Sequence, residues 1–246
     1  MGSITRREAL KLAASFGATL AWRPSFALSS VGEPTERRDL FPQGVASGDP
    51  QPTSVLLWTR RPPTAESSAK QLRLEVSETP EFHRVLVRGD AALSADSGWT
   101  ARVLAAGLKP HREYWYRFVD EHGFSSRVGR TITAPDERDA RPVRFVFVSC
   151  QNVQLGACNA YRRMIWEDER RPRAEQLDFV LHLGDFIYEI VWYPEDRPQG
   201  YYARKVRDIV RYATGEKHAD FHVSTIVDDY RAVYSAYLAS GQARPG

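Results

Sequence analysis

Cysteine is almost absent, with Cys150 and Cys158 the only two in 246 residues. Their spacing, with no second cysteine pair and no His-x-His beside them, argues against a structural or catalytic zinc site. Long apolar runs are missing as well. The stretch from Leu12 to Trp22 is too short to span a bilayer, and no later run is long and apolar enough to act as a membrane segment. An excess of one charge is also lacking. The formal net charge is +3, and residues 1–29 carry Arg6, Arg7, Lys11 and Arg23 against the single acid Glu8, which accounts for all of it. The rest of the chain is neutral, which removes the surplus of Lys and Arg that a nucleic-acid binder or a polybasic membrane anchor depends on.

What is present is enough for a real core. Apolar residues make up 42% of the chain and charged residues 26%, and the length suits one large domain or two modest ones. At the N-terminus, Thr5-Arg6-Arg7-Glu8-Ala9-Leu10-Lys11 precedes the mildly apolar stretch, which closes on Arg23-Pro24 and small residues from Ala27 to Ser30. Residues 1–30 read as a twin-arginine signal peptide, whose plainer alternative is an amphipathic first helix. The expected partner is the twin-arginine translocation machinery, and the expected location is the periplasm or the exterior. Export after folding suits an enzyme that collects its metal in the cytoplasm.

Residues 135–142, with two prolines and alternating charge, interrupt every hydrophobic pattern and read as a linker. Before it, residues 38–134 hold short β-rich runs at 54–59, 71–76, 85–88, 100–104, 114–119 and 126–133, parted by Gly, Pro, Asp and Ser. Strands so spaced, with no helical stretch between them, predict an all-β sandwich. Gly107-Leu108-Lys109-Pro110 followed by Tyr114 resembles the corner of a fibronectin III-like sandwich, where a tyrosine hydroxyl bonds back across the turn. The aromatic residues of these strands are read as core filling rather than a carbohydrate-binding face.

After the linker, residues 143–246 change pattern. Val143 to Val148 and Leu177 to Leu183 read as strands with a helix, Ala157 to Arg171, between them, which makes a βαβ unit and predicts an α/β domain. Tyr202 to Arg211 and Val227 to Leu238 read as further helices. Two parallel strands cannot form a sheet covered on both faces, so the α/β domain is expected to be incomplete.

In open α/β sheets ligands gather beyond the carboxyl ends of the strands. The first strand ends in Ser149-Cys150-Gln151-Asn152, the second in Gly184-Asp185-Phe186-Ile187-Tyr188-Glu189. Cys150, Asp185 and Tyr188 are therefore candidate metal ligands facing a common point, with Gly184 permitting a sharp turn. A thiolate, a carboxylate and a phenolate are all anionic when bound, which favours a strongly Lewis-acidic ion such as ferric iron. Each has a plainer reading: Cys150 as a small buried hydrophobe or the disulfide partner of Cys158, Asp185 as a turn cap, Tyr188 as packing.

Four segments taken together resemble the PhoD-type alkaline phosphatases. They are Phe41-Pro42-Gln43-Gly44-Val45-Ala46-Ser47-Gly48-Asp49-Pro50, Val55-Leu56-Leu57-Trp58-Thr59-Arg60, Ser149-Cys150-Gln151-Asn152 with Tyr161-Arg162, and Leu183-Gly184-Asp185-Phe186-Ile187-Tyr188-Glu189. Tyr230-Arg231, Tyr234 and Tyr237-Leu238 resemble the family's tyrosine-rich helix. The resemblance implies a metallophosphoesterase domain that hydrolyses phosphate mono- or diesters with Fe3+ and Ca2+. It implies that Cys150 and Tyr188 bind iron and that Asp185 bridges iron to calcium. Asn152 and Arg162 become candidate phosphate-side contacts, with plainer readings as a strand-end and a helix-surface residue. The family's Trp-Asp-Asp-His-Glu motif and later Asp and His ligands have no counterpart before Gly246, so the chain is expected to be an N-terminal portion without activity by itself. His182 reads as a packed core histidine, and His218 and His222 as residues of a polar connection. The rival reading is a secreted, non-catalytic binding module built on the sandwich.

Overall fold

The structure, a computed structural model, describes residues 32–156 and 158–240. The signal-peptide reading lies outside these residues. Among them, no helix is long and apolar enough to cross a membrane. The described residues are β-rich, with thirteen short strands and two α-helices among them.

The first part is a two-layer sandwich. One layer holds β1 (Thr35–Glu36), β4 (Gln71–Ser77), β5 (Val85–Ala92), β7 (Glu113–Asp120), β8 (Phe124–Ser125) and β9 (Gly129–Ile132), in the order β1-β8-β7-β4-β5 with β9 also on β7. The other holds β2 (Val45–Gln51), β3 (Ser54–Arg60) and β6 (Thr100–Ala106), in the order β2-β3-β6. Pairing is antiparallel throughout except between β1 and β8. Alternation sets which face goes inward. In β3, Val55 and Leu57 are buried between half-exposed neighbours; in β6 the buried set is Ala101, Val103 and Ala105; in β7 it is Tyr114, Tyr116 and Phe118. These meet Leu72, Leu74 and Val76 of β4 in one core. The Tyr114 hydroxyl accepts the Lys109 N–H at 2.9 Å, closing the turn before β7 as the sequence suggested. A fully buried ion pair, Arg61 to Asp120 at 3.2 Å, links the end of β3 to the end of β7. Ser67 and the Pro62 carbonyl take the other Arg61 N–H groups.

Beyond the sandwich, β10 (Phe145–Val148) and β11 (Phe179–His182) pair in parallel, with α1 (Asn159–Asp168) between them in sequence. This is the expected strand–helix–strand unit. Its sheet is bare: Phe145, Phe147, Phe179, Val180 and Leu181 are all exposed. An antiparallel hairpin, β12 (Glu216–His218) with β13 (Phe221–Val223), and α2 (Val227–Ser240) follow.

The helix expected over 202–211 is not formed. Tyr202 and Ala203 have positive φ, Tyr201 and Arg204 close an isolated bridge, and the Arg207 N–H goes to the Gln154 carbonyl at 3.1 Å instead of to its own segment. Tertiary hydrogen bonds overrule a helix-compatible pattern here. The hairpin at 216–223 was likewise not anticipated, and it takes in His218 and His222.

Candidate metal centre

The two tips of β10 and β11 are stitched together by backbone. The Leu183 N–H reaches the Val148 carbonyl at 2.8 Å, the Cys150 N–H reaches Gly184, and the Gln151 N–H reaches Asp185, the last two at 3.2 Å. Gly184 stands at φ 120°, outside the range of ordinary side chains. Cys150 and Asp185 follow at φ 57° and 49°, left-handed values that residues other than glycine adopt at a cost. These turns bring the three candidate ligands together. The Cys150 thiol lies 3.3 Å from Asp185 Oδ2, and the Tyr188 hydroxyl lies 3.2 Å from the same oxygen. The Tyr188 phenol is held well above the ordinary tyrosine range, first by the neighbouring Cys150, then by desolvation and the Asp185 carboxylate.

Both cysteines are free thiols, Cys150 exposed and Cys158 half-buried, so the disulfide alternative is not realised. Cys158 instead stands at the N-cap position of α1 without a capping bond from its side chain, and burial raises its thiol pKa. Among the described residues no group of three or more His, Cys, Asp or Glu comes together. The Cys150–Asp185–Tyr188 cluster therefore depends on its phenol to make a third donor.

Asn152 uses its side-chain oxygen locally, accepting the N–H groups of Gln154 at 3.0 Å and Leu155 at 3.3 Å. Its amide nitrogen is left over for other contacts. Arg162 sits exposed on α1. His182 closes β11 half-exposed rather than sealed in a core. Its Nδ1 accepts the Gly184 N–H at 3.3 Å, its ring packs edge-on against Phe186, and its Nε2 is enclosed without a partner.

Residues that the sequence did not single out hold the loops in place. Gln154 is 2% exposed, and its amide spans segments far apart in the chain: Oε1 accepts the Trp192 N–H at 3.1 Å, while Nε2 donates to the carbonyls of Trp192 and Arg207. Val153, Val191, Tyr193, Val233 and Tyr237 form a second core, against which Ile187, Tyr188 and Cys158 pack. Tyr237 belongs to the tyrosine-rich helix seen in the sequence; no motif marks the others, Gln154 because its role is to satisfy backbone groups delivered from elsewhere. A separate cleft of about 1200 Å3, lined by Asp49, His111, Arg130, Arg144 and Leu181 among others, includes none of the candidate ligands.

Comparison with known proteins gives two family matches in order. Residues 26–135 match the N-terminal domain of PhoD-like phosphatases, and residues 145–244 match the PhoD-like phosphatase domain. Alkaline phosphatase D of Bacillus subtilis (strain 168) is 36% identical over 156 residues, covering 61% of this chain and 25% of that protein. A solved structure of PhoD superposes with a TM-score of 0.64 at 31% identity, covering 89% of this chain and 37% of the other. The chain thus spans well under half the length of these relatives.

Proposed function

We propose, from the premise that this chain belongs to the PhoD-like phosphatase family, that it contributes the metal-holding strand tips of a phosphate-ester hydrolase. The observation that carries the reading is the meeting of a thiol, a carboxylate and a phenol around Asp185 Oδ2. Three groups that are anionic when deprotonated repel one another, and a multivalent cation relieves that repulsion. The donor set of sulfur, carboxylate and phenolate fits Fe3+, which Cys150 and Tyr188 would hold, and Asp185 would add a carboxylate for the Ca2+ that the family resemblance implies. Bound there, the ions would supply Lewis acidity toward the phosphate oxygens and the attacking oxygen.

The chain's own residues do the rest. Left-handed turns at Cys150 and Asp185 hold the donors in place before any ion arrives. The free amide nitrogen of Asn152 and the guanidinium of Arg162 serve the phosphate side, where donors aimed at developing negative charge lower the barrier. Three protein donors fall short of the six to eight oxygens that calcium alone takes, so these residues are part of a site rather than all of it. We expect residues 31–246 by themselves not to hydrolyse p-nitrophenyl phosphate. The sandwich is read as a fibronectin III-like module preceding a metallophosphoesterase domain. Export through the twin-arginine pathway, to the periplasm or beyond, completes the reading.

The test is colour. Thiolate and phenolate ligands on ferric iron absorb visible light, so the purified chain titrated with Fe3+ should develop a charge-transfer band. Cys150→Ser should remove the sulfur contribution and Tyr188→Phe the phenolate contribution. A colourless titration, or a band unchanged in both variants, would falsify the metal assignment and favour the non-catalytic binding module.

A further inference from the structure

Cys150 arrives on the loop after β10, Asp185 and Tyr188 on the loop after β11, and successive hydrogen bonds set the gap between the two. The Cys150 N–H goes to the Gly184 carbonyl and the Gln151 N–H to the Asp185 carbonyl, both at 3.2 Å. The next carbonyl along, that of Phe186, is met by a side chain. Gln151 Nε2 donates to it at 2.8 Å, the shortest of the three bonds. A carbonyl oxygen only accepts, so this partner fixes which way the Gln151 amide is turned. Phe186 stands between Asp185 and Tyr188, and its ring is held as well, against His182 and against Tyr234 of α2, with centroids 5.2 Å apart in each pair.

We infer that Gln151 is a positioning residue of the metal centre, its side-chain amide adding a third rung between the loop that carries Cys150 and the loop that carries Asp185 and Tyr188. Its bond goes to backbone, so it acts through the ligands rather than on the ion. The inference deepens the metal reading given above and rests on it for its chemistry, although the tie itself is a property of the metal-free chain. Methionine matches glutamine in length but has no N–H to give, so Gln151→Met removes the rung and keeps most of the bulk. Partners that orient ligands from outside the coordination shell are worth about ten- to a hundredfold in metal affinity.

The experiment uses the full chain and its Gln151→Met variant, with Gln71→Met, at an exposed position of β4, as control. Titration with Fe3+ should show the affinity of Gln151→Met lowered about tenfold or more, with its visible band displaced, and Gln71→Met matching the unmodified chain. In the metal-free proteins, amide exchange at Cys150 and Gln151 should be about two- to tenfold faster in Gln151→Met, with β7 of the sandwich unchanged. A band and affinity equal to those of the unmodified chain overturn the inference, as does equal exchange at the two amides. If the unmodified chain takes up no coloured iron, the metal reading fails and the tie is decided by the exchange alone. Should Gln151→Met not fold, the side-chain amide protons of the unmodified chain decide: slower exchange at Gln151 than at exposed Gln71 supports the tie, and equal exchange overturns it.

Discussion

Cys150 and Asp185 occupy backbone angles that glycine would adopt more easily, and strain of this kind is worth about 1–3 kcal/mol at each position. The Cys150 and Gln151 N–H groups, bonded to the Gly184 and Asp185 carbonyls, hold them there, while Gln154 gathers the segments around 192 and 207. Replacing Gln154 with Leu keeps the volume and strands the Trp192 and Arg207 backbone groups without partners. We expect a stability loss of about 1–3 kcal/mol, seen as a lower urea midpoint; an unchanged midpoint would mean that these groups find other partners. The candidate ligands Cys150, Asp185 and Tyr188 were picked out from sequence as side chains at the ends of two β-rich runs, and the fold brings them together. Gln154 was not. Glutamine is an ordinary residue in a loop, and only the folded chain brings 192 and 207 to it.

At the scale of elements, β-rich runs between turn residues made most of the sandwich readable: β4 alternates apolar and polar residues, and β3 and β6 are mainly apolar runs bounded by polar or turn residues. β2 escaped notice because Gly48-Asp49-Pro50 reads as a turn, and the expected strand over 126–133 is shortened to β9 after the separate pair β8. The helix over 202–211 failed for a different reason, since the Arg207 amide bonds across to the Gln154 carbonyl and a periodicity argument sees only its own window. The pair Arg61–Asp120 shows what joins the strands once formed. Asp120 also accepts the N–H groups of His122 and Phe124, each at 3.0 Å, so it anchors the turn into β8 as well as a buried guanidinium. Asp120→Ala leaves that cation unpaired in the interior and is expected to cost about 3–5 kcal/mol. Chemical unfolding of the sandwich measures this directly, and a loss below about 1 kcal/mol would show that water or another acceptor reaches Arg61.

Across the whole molecule the chain has two cores of unequal finish. The sandwich encloses its apolar faces, whereas the β10–β11 sheet leaves Phe145, Phe147 and Leu181 in solvent. Apolar surface on that scale attracts further apolar surface. The full chain should self-associate as concentration rises, and Phe147→Lys should lower the associated fraction in sedimentation; equal association in the variant would place the contact elsewhere. The packing of α2 also imposes an order in time. Cys150, Asp185 and Tyr188 leave the ribosome before Val233 and Tyr237, so the second core against which Tyr188 and Cys158 pack closes only once α2 has docked. Settling of these loops should therefore track the seating of α2 rather than the synthesis of the strands that carry them.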